Sequence, residues 1–229
     1  MDYVVFLHSK QMMMRFPLVM FLLICIGCGE KKKYHDLQEN QHVPNMSAGV
    51  EDVLEFQQRL NASFKDPETS PLPDRFRKDF VKLDFFDPDT SYIVWAKLVR
   101  TPEALPFLMP TTTDRKSTEV VYGIAQFFMD GESHRLEIYQ NKELMLQEGF
   151  EDYLFLPFTD ATNGSQTYTG GRYLDLRIPK GDSILIDFNR AYNPYCAYNK
   201  KYSCPIVPSV NALQIPIFAG VKSFKEGKE

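Results

Sequence analysis

EVVYGIAQFFMDGESHRLEIYQ, Glu119 to Gln140, is the stretch on which the fold turns. Glu119 to Met129 is rich in Val, Ile, Tyr and Phe, Asp130-Gly131 follows, and HRLEIYQ (His134 to Gln140) alternates apolar and polar residues. Branched and aromatic side chains suit a pleated surface, and Asp-Gly favours the tight turn whose twist matches two paired strands. An antiparallel hairpin is therefore expected here. Working outward, SYIVWAKLVR (Ser91 to Arg100) precedes it, while YLFLPF (Tyr153 to Phe158), RYLDLRI (Arg172 to Ile178) and SILIDF (Ser183 to Phe188) follow as further strands. The last two are joined across Pro179-Lys180-Gly181-Asp182, a turn signature. LQIPIF (Leu213 to Phe218) is predicted as a late strand, with Pro216 favouring a sheet edge because proline cannot donate to a ladder. NKELMLQEG (Asn141 to Gly149) has the composition of a second short helix.

Upstream the period changes. Ser47 can cap a helix whose apolar positions Val50, Val53, Leu54, Leu60 and Phe64 recur at helical spacing with one gap. Pro67, Pro71 and Pro73 in DPETSPLPD end it. Many short strands at hairpin spacing and one helix predict a mainly β domain, an antiparallel β-barrel or β-sandwich with an N-terminal helix packed outside.

The chain's beginning reads differently. Arg15 precedes FPLVMFLLICIG (Phe16 to Gly27), an apolar run that suits a signal-peptide core and is shorter than the ~20 residues of a spanning helix. Gly27-Cys28 at its end resembles the bacterial lipobox, with Cys25 standing where leucine is usual. Residues 1–27 are thus expected to be a lipoprotein signal peptide, with an ordinary signal peptide or an uncleaved anchor as the alternatives. MDYVVFLHSKQ reads as extraneous, since Met12, Met13 or Met14 would begin a more ordinary leader. Cys28 is then the lipidation site, and its acyl chains, at ~0.8 kcal/mol per buried methylene, hold the protein to a membrane of the bacterial cell envelope. Residues 28–47 are polar and read as a flexible tether, in which Lys31 to Lys33 are solvated or touch anionic headgroups. Residues 48–229 remain as a single β-rich domain of about 180 residues, enough to bury a sizeable core.

Composition removes several function classes. Loss of Lys10, Arg15 and Asp2 with the leader takes the formal charge from −4 to −5, and an acidic chain without a basic stripe does not suit nucleic acid. With Cys25 lost and Cys28 acylated, Cys196 and Cys204 are the domain's cysteines, and His134 is its single histidine. A catalytic triad would have one candidate base, and a zinc site would need both cysteines plus His134 or carboxylates. No metal or other cofactor is expected.

Three C-terminal segments share an unusual texture: LPFTDATNGSQTYTGGRYLDL (Leu156 to Leu176), LIDFNRAYNPYCAYN (Leu185 to Asn199) and YSCPIVPSVNALQIPIFAG (Tyr202 to Gly220). They carry a Phe-x-Asp-x-Thr turn, Gly-Gly-Arg-Tyr-Leu, Asp-Phe-Asn-x-Ala-Tyr-Asn-Pro, Cys-Ala-Tyr, Ser-Cys-Pro, Pro-x-x-Asn-x-Leu and a terminal Ala-Gly. In this order the motifs resemble the bacterial and archaeal family catalogued as domain of unknown function 1684. The resemblance implies a shared domain and no particular activity.

The side chains themselves suggest a purpose. Asp160, Thr162 and Asn163 are of the kind that bond nearby backbone amides and fix a loop. Gly170-Gly171 permits positive φ or close approach, either as a tight lead into a strand or beneath a ligand. Arg172 is expected to pair with Asp160 or Asp187, or to bind an anionic group. Asp187, Asn189 and Arg190 leave a strand, Asn193-Pro194 forces a turn, and Tyr192, Tyr195, Tyr198 and Tyr202 shield a loop poor in aliphatics. The candidate ligand-binding set is therefore Asp160, Thr162, Arg172, Asp187, Asn189, Arg190 and Asn193. Cys196 and Cys204 suit a disulfide in an exported protein, with metal binding or a catalytic thiol as alternatives. Two functions follow: a lipid-anchored binding or structural module with a rigid polar loop cluster, or a hydrolase with Asp160 or Asp187 as base and Asn189 and Arg172 stabilising negative charge. Burial separates them, because an enzyme needs these groups to converge on an open cavity.

Overall fold

The computed structural model describes residues 49–225. The leader, Cys28, the tether and Ser47 as a helix cap lie outside the described residues. In chain order the elements are α1 (Gly49–Lys65), a single-turn α2 (Asp74–Arg77), β1 (Ile93–Arg100), β2 (Phe107–Pro110), β3 (Lys116–Met129), β4 (Glu132–Asn141), β5 (Tyr153–Phe158), β6 (Arg172–Arg177) and β7 (Ser183–Asp187). All strand pairings are antiparallel, in the order β6-β5-β4-β3-β1-β7, and β2 pairs with β3 as well. The sheet curls into a half-barrel, and α1 is the one substantial helix among the described residues.

The hairpin expected from the sequence is the centre of this sheet. β3 and β4 pair from Met129↔Glu132 to Glu119↔Asn141, and Asp130 and Gly131 at the turn both have positive φ, 51° and 78°. That is the backbone of a two-residue turn whose twist matches the strands. Between Val121 and Gly123 the register shifts, leaving Tyr122 as a bulge. The Arg100 guanidinium lies 3.5 Å from the Tyr122 ring centre, and its Nε donates to the Tyr122 carbonyl. The bulge divides the edge of β3 into a part that pairs with β1 and a part that pairs with β2.

At β5 both faces of the sheet are buried, and the strand shows no exposed position. Leu154 and Leu156 of β5 face an aliphatic core with Leu136, Ile138, Leu174, Ile184 and Ile186. Tyr153 and Phe155 face an aromatic core with Tyr139, Tyr173, Tyr192, Tyr195 and Tyr198, closed by Phe56, Leu60 and Phe64 of α1. The helix therefore packs outside the sheet through positions four apart, a helical face. Glu51 and Asp52 in its first turn and Lys65 in its last suit the helix dipole.

Three local expectations need correction. Leu213–Phe218 is not a strand: its backbone pairs with Thr159 and Ala161 only as far as Ile215, and beyond that Ile217 is held by side chains, as described below. Asn141–Gly149 forms a 3₁₀ turn, Leu144–Leu146, where Asn141 Oδ1 accepts from the amides of Glu143 and Leu144 and Gly149 ends the segment at positive φ. In α1, Val50 and Leu54 stay exposed while Phe56 is buried, so the apolar stripe is rotated from the one expected. β2 was not foreseen, being four residues long and ending in proline.

Candidate functional site

The centre of the C-terminal cluster is Arg172, the largest fully buried side chain of the described residues. It opens β6, and its Nη2 donates to Asp160 Oδ2 at 2.8 Å and to the Ile217 carbonyl at 2.9 Å. Nη1 donates to the carbonyls of Ala219 and Val221. Both side chains of the Arg172–Asp160 pair are 0% exposed. Burial lowers the arginine's pKa and the adjacent Asp160 carboxylate opposes that. Asp160 Oδ1 accepts from Thr162 N, Thr162 Oγ1 and Ile217 N. One ion pair thus stitches the β5–β6 loop to residues 217–221, taking the place of a ladder. Pro216 has no amide to offer such a ladder in any case.

Gly171 and Gly220 let the backbone into this space. Both have positive φ, 88° and 78°, and a Cβ on Gly220 would lie 2.7 Å from the Ala191 carbonyl oxygen. No L-residue with a side chain fits there without displacing backbone.

The asparagines act as backbone surrogates. Asn189 Oδ1 accepts from Asp89 N at 2.9 Å while its Nδ2 donates to Asp89 O at 2.8 Å, so one amide pairs with a residue 100 positions away as a strand would. Asn189 Nδ2 and N also donate to Asp187 Oδ1. Asp187 therefore turns toward Asn189, and the pairing of Arg172 with Asp187 is not observed; Asp160 supplies the carboxylate instead. Burial pushes the Asp187 carboxyl up to about 6, against the lowering effect of the Asn189 bonds and with a small further push from Asp52. Asn193, buried, donates to the Lys222 carbonyl and the Tyr198 hydroxyl. The Arg190 guanidinium lies 5.3 Å from the Phe56 ring centre of α1. The tyrosines of the loop complete the aromatic core: Tyr198 meets Phe64 edge-on at 4.7 Å, and the hydroxyls of Tyr192 and Tyr153 both donate to Asp175 at 2.6 Å.

Cys196 and Cys204 are free thiols side by side, Cys196 half-buried and Cys204 buried, and the Cys196 amide donates to Cys204 Sγ at 3.2 Å. The Tyr168 hydroxyl is 3.9 Å from Cys196 Sγ. His134 is remote from them in the β3–β4 hairpin, with Nε2 3.2 Å from the Met129 carbonyl. Among the described residues no three His, Cys, Asp or Glu side chains gather as a metal-holding group. An open depression of about 530 Å³ is lined by Val50, Phe86, Asp87, Asp89, Tyr92 and Phe218 among others. None of the seven candidate residues lines it; Asn189 only fixes the backbone of its wall at Asp89.

A family model described as Protein of unknown function (DUF1684) matches residues 78–222. The chain belongs to that family. The matched span holds all seven strands, the Arg172–Asp160 cluster and both cysteines, and excludes α1. An uncharacterised protein of Haloarcula marismortui, solved by solution NMR, is similar to this chain with a TM-score of 0.60 and 32% identity, over 75% of this chain and 92% of its own. No curated protein matches.

Within this DUF1684 domain, two buried polar residues escaped the sequence reading. Asn211 repeats the device of Asn189: Oδ1 accepts from Glu137 N at 2.8 Å, and Nδ2 donates to the carbonyls of Glu137 and Pro157. It fills the gap where β4 and β5 part, since they share only the Tyr139↔Phe155 register pair. Its signal was present in Pro-x-x-Asn-x-Leu, but nothing in that motif names a partner. Glu119, 2% exposed, accepts from Ser117 Oγ and Asn141 Nδ2, and burial raises its pKa against those bonds. Its position within an apolar run disguised it.

Proposed function

We propose that the protein is a lipid-anchored module of the bacterial cell envelope that binds or braces rather than hydrolyses. The reading is supported chiefly by the Arg172–Asp160 pair, which has 0% side-chain exposure and spends its bonds on the protein's own backbone. A pair sealed from solvent in this way is out of a substrate's reach, and the hydrolase reading needs the same groups to face an open cavity. The role of the cluster is to hold loops rigid, so that the surface they carry has one shape. Attachment rests on Gly27-Cys28 and the apolar run before it.

Expression of the full chain in bacteria fed an alkyne-bearing fatty acid tests the anchor. The wild-type protein takes up the label and sediments with membranes, whereas Cys28→Ser does neither. Label-free wild-type protein in the soluble fraction would sink the proposal.

A further inference from the structure

We propose that Cys196 and Cys204 form a thiol–disulfide exchange site, in which Cys196 attacks small disulfides and Cys204 resolves the product. The pair is built asymmetrically. Cys204 is pinned, its amide donating to Thr112 Oγ1 at 3.1 Å and its carbonyl accepting from Thr112 N at 2.9 Å. Its sulfur is buried and lies over the Cys196 amide. Cys196 sits in the 3₁₀ turn Tyr195–Ala197, half-exposed, with the Tyr168 hydroxyl 3.9 Å from its sulfur. Hydrogen bonds from Cys204, then Tyr168 and Thr112, hold its thiol below the ordinary range despite burial, while the same bond and burial hold Cys204 above it. A half-exposed cysteine beside a buried one is the arrangement of an attacking and a resolving sulfur. Arg115, whose Nε and Nη2 donate to Ser203 Oγ and O, puts a positive charge against the residue that precedes Cys204. The substrate class that fits is a low-molecular-weight disulfide bearing carboxylates.

The chemistry balances within the site. The Cys196 thiolate attacks one sulfur of the disulfide; a new S–S bond forms, the old one breaks, and the departing thiolate takes a proton from solvent. Cys204 then gives up its proton to solvent and attacks the Cys196 sulfur, expelling the second thiolate. Two protein thiols are oxidised to one disulfide and the small disulfide is reduced to two thiols. This site is independent of the lipid anchor and of what the domain binds.

The test uses the reduced full chain and iodoacetamide in limiting amount at neutral pH, with each cysteine followed by peptide mass spectrometry. Cys196 is expected to react about tenfold faster than Cys204. With oxidised glutathione, the wild-type chain should release two glutathione thiols and close a Cys196–Cys204 disulfide, and Cys204→Ser should stop with glutathione on Cys196. The wild-type kinetics decide the matter if that variant does not fold. Equal or faster labelling of Cys204, glutathione persisting on wild-type Cys196, or no reaction with the disulfide each overturns the proposal.

Discussion

β3 and β4 are joined by backbone pairs running the whole length of their hairpin, from Met129↔Glu132 to Glu119↔Asn141. β4 and β5 share one register pair, Tyr139↔Phe155, and the side chain of Asn211 bridges that seam at Glu137 and Pro157. The first half of the molecule is therefore specified by local pattern and turn chemistry, which any sequence of the right period satisfies. The second half has ladders of its own in β5–β6 and β1–β7, but its loops are specified by individual residues, each making a side-chain bond to a distant segment. Asn189 reaches Asp89, Asn211 reaches Glu137, and Arg172 gathers residues 217–221. Such a half has fewer ways of tolerating change, because each lost side chain strands buried backbone groups that no neighbour can rescue.

Arg172→Met should break this second half most severely. It leaves Asp160 buried without its counter-charge and strips four carbonyl or carboxylate acceptors of their donor. Removing one partner of a buried pair costs about 3–5 kcal/mol, to be read from the urea midpoint of the purified chain. Adding Asp160→Asn to Arg172→Met should restore part of the loss, since the unpaired charge goes. A loss below about 1 kcal/mol, the size of an exposed pair, would mean that the cluster does not hold the loops.

The same contrast governs what could be read in the sequence. The hairpin at Asp130-Gly131 was legible because its cause lies within a few residues. The Arg172–Asp160 pair was legible only as one of two choices, because Asp160 and Asp187 are equally suited by residue type and only the folded path decides. Leu213–Phe218 reads as a strand by apolar alternation, yet Ile217 offers its amide to Asp160 and its carbonyl to Arg172. Local pattern reports that a segment is buried and extended; it does not report whether a ladder or a side chain satisfies it. Asn189 was legible as a loop-fixing residue and Asn211 was not, although the two make the same two-point bond.

Asn211→Ala sharpens the comparison at a single seam. It removes the donor for the Glu137 and Pro157 carbonyls and the acceptor for Glu137 N, all in a 0% exposed position. The expected cost is about 2–3 kcal/mol, seen as a lowered denaturation midpoint. Hydrogen exchange should speed up at Glu137 and Leu213 while the β3–β4 ladder keeps its protection. Uniform loss of protection across both halves would show that the two are not held by separate means.

Asp187→Asn should have the smallest effect and the opposite sign. The asparagine keeps an acceptor for Asn189 N and Nδ2 but carries no charge into a buried place near Asp52. The wild-type carboxyl titrates at about 6 in the fold against a reference of 3.8, so the folded chain binds more protons than the unfolded chain between those values. Wild-type stability from this group is therefore fully present below about pH 4 and is lost as pH rises through 6. Near neutral pH the variant should be more stable by about 1–2 kcal/mol, a figure discounted because solvent reaches part of the carboxylate. Below about pH 4 the two chains should converge, since Asp187 is then protonated in both states. A variant less stable than wild type at neutral pH would show that the charge, not merely the acceptor, holds the Asp89 segment to the Asn189 turn.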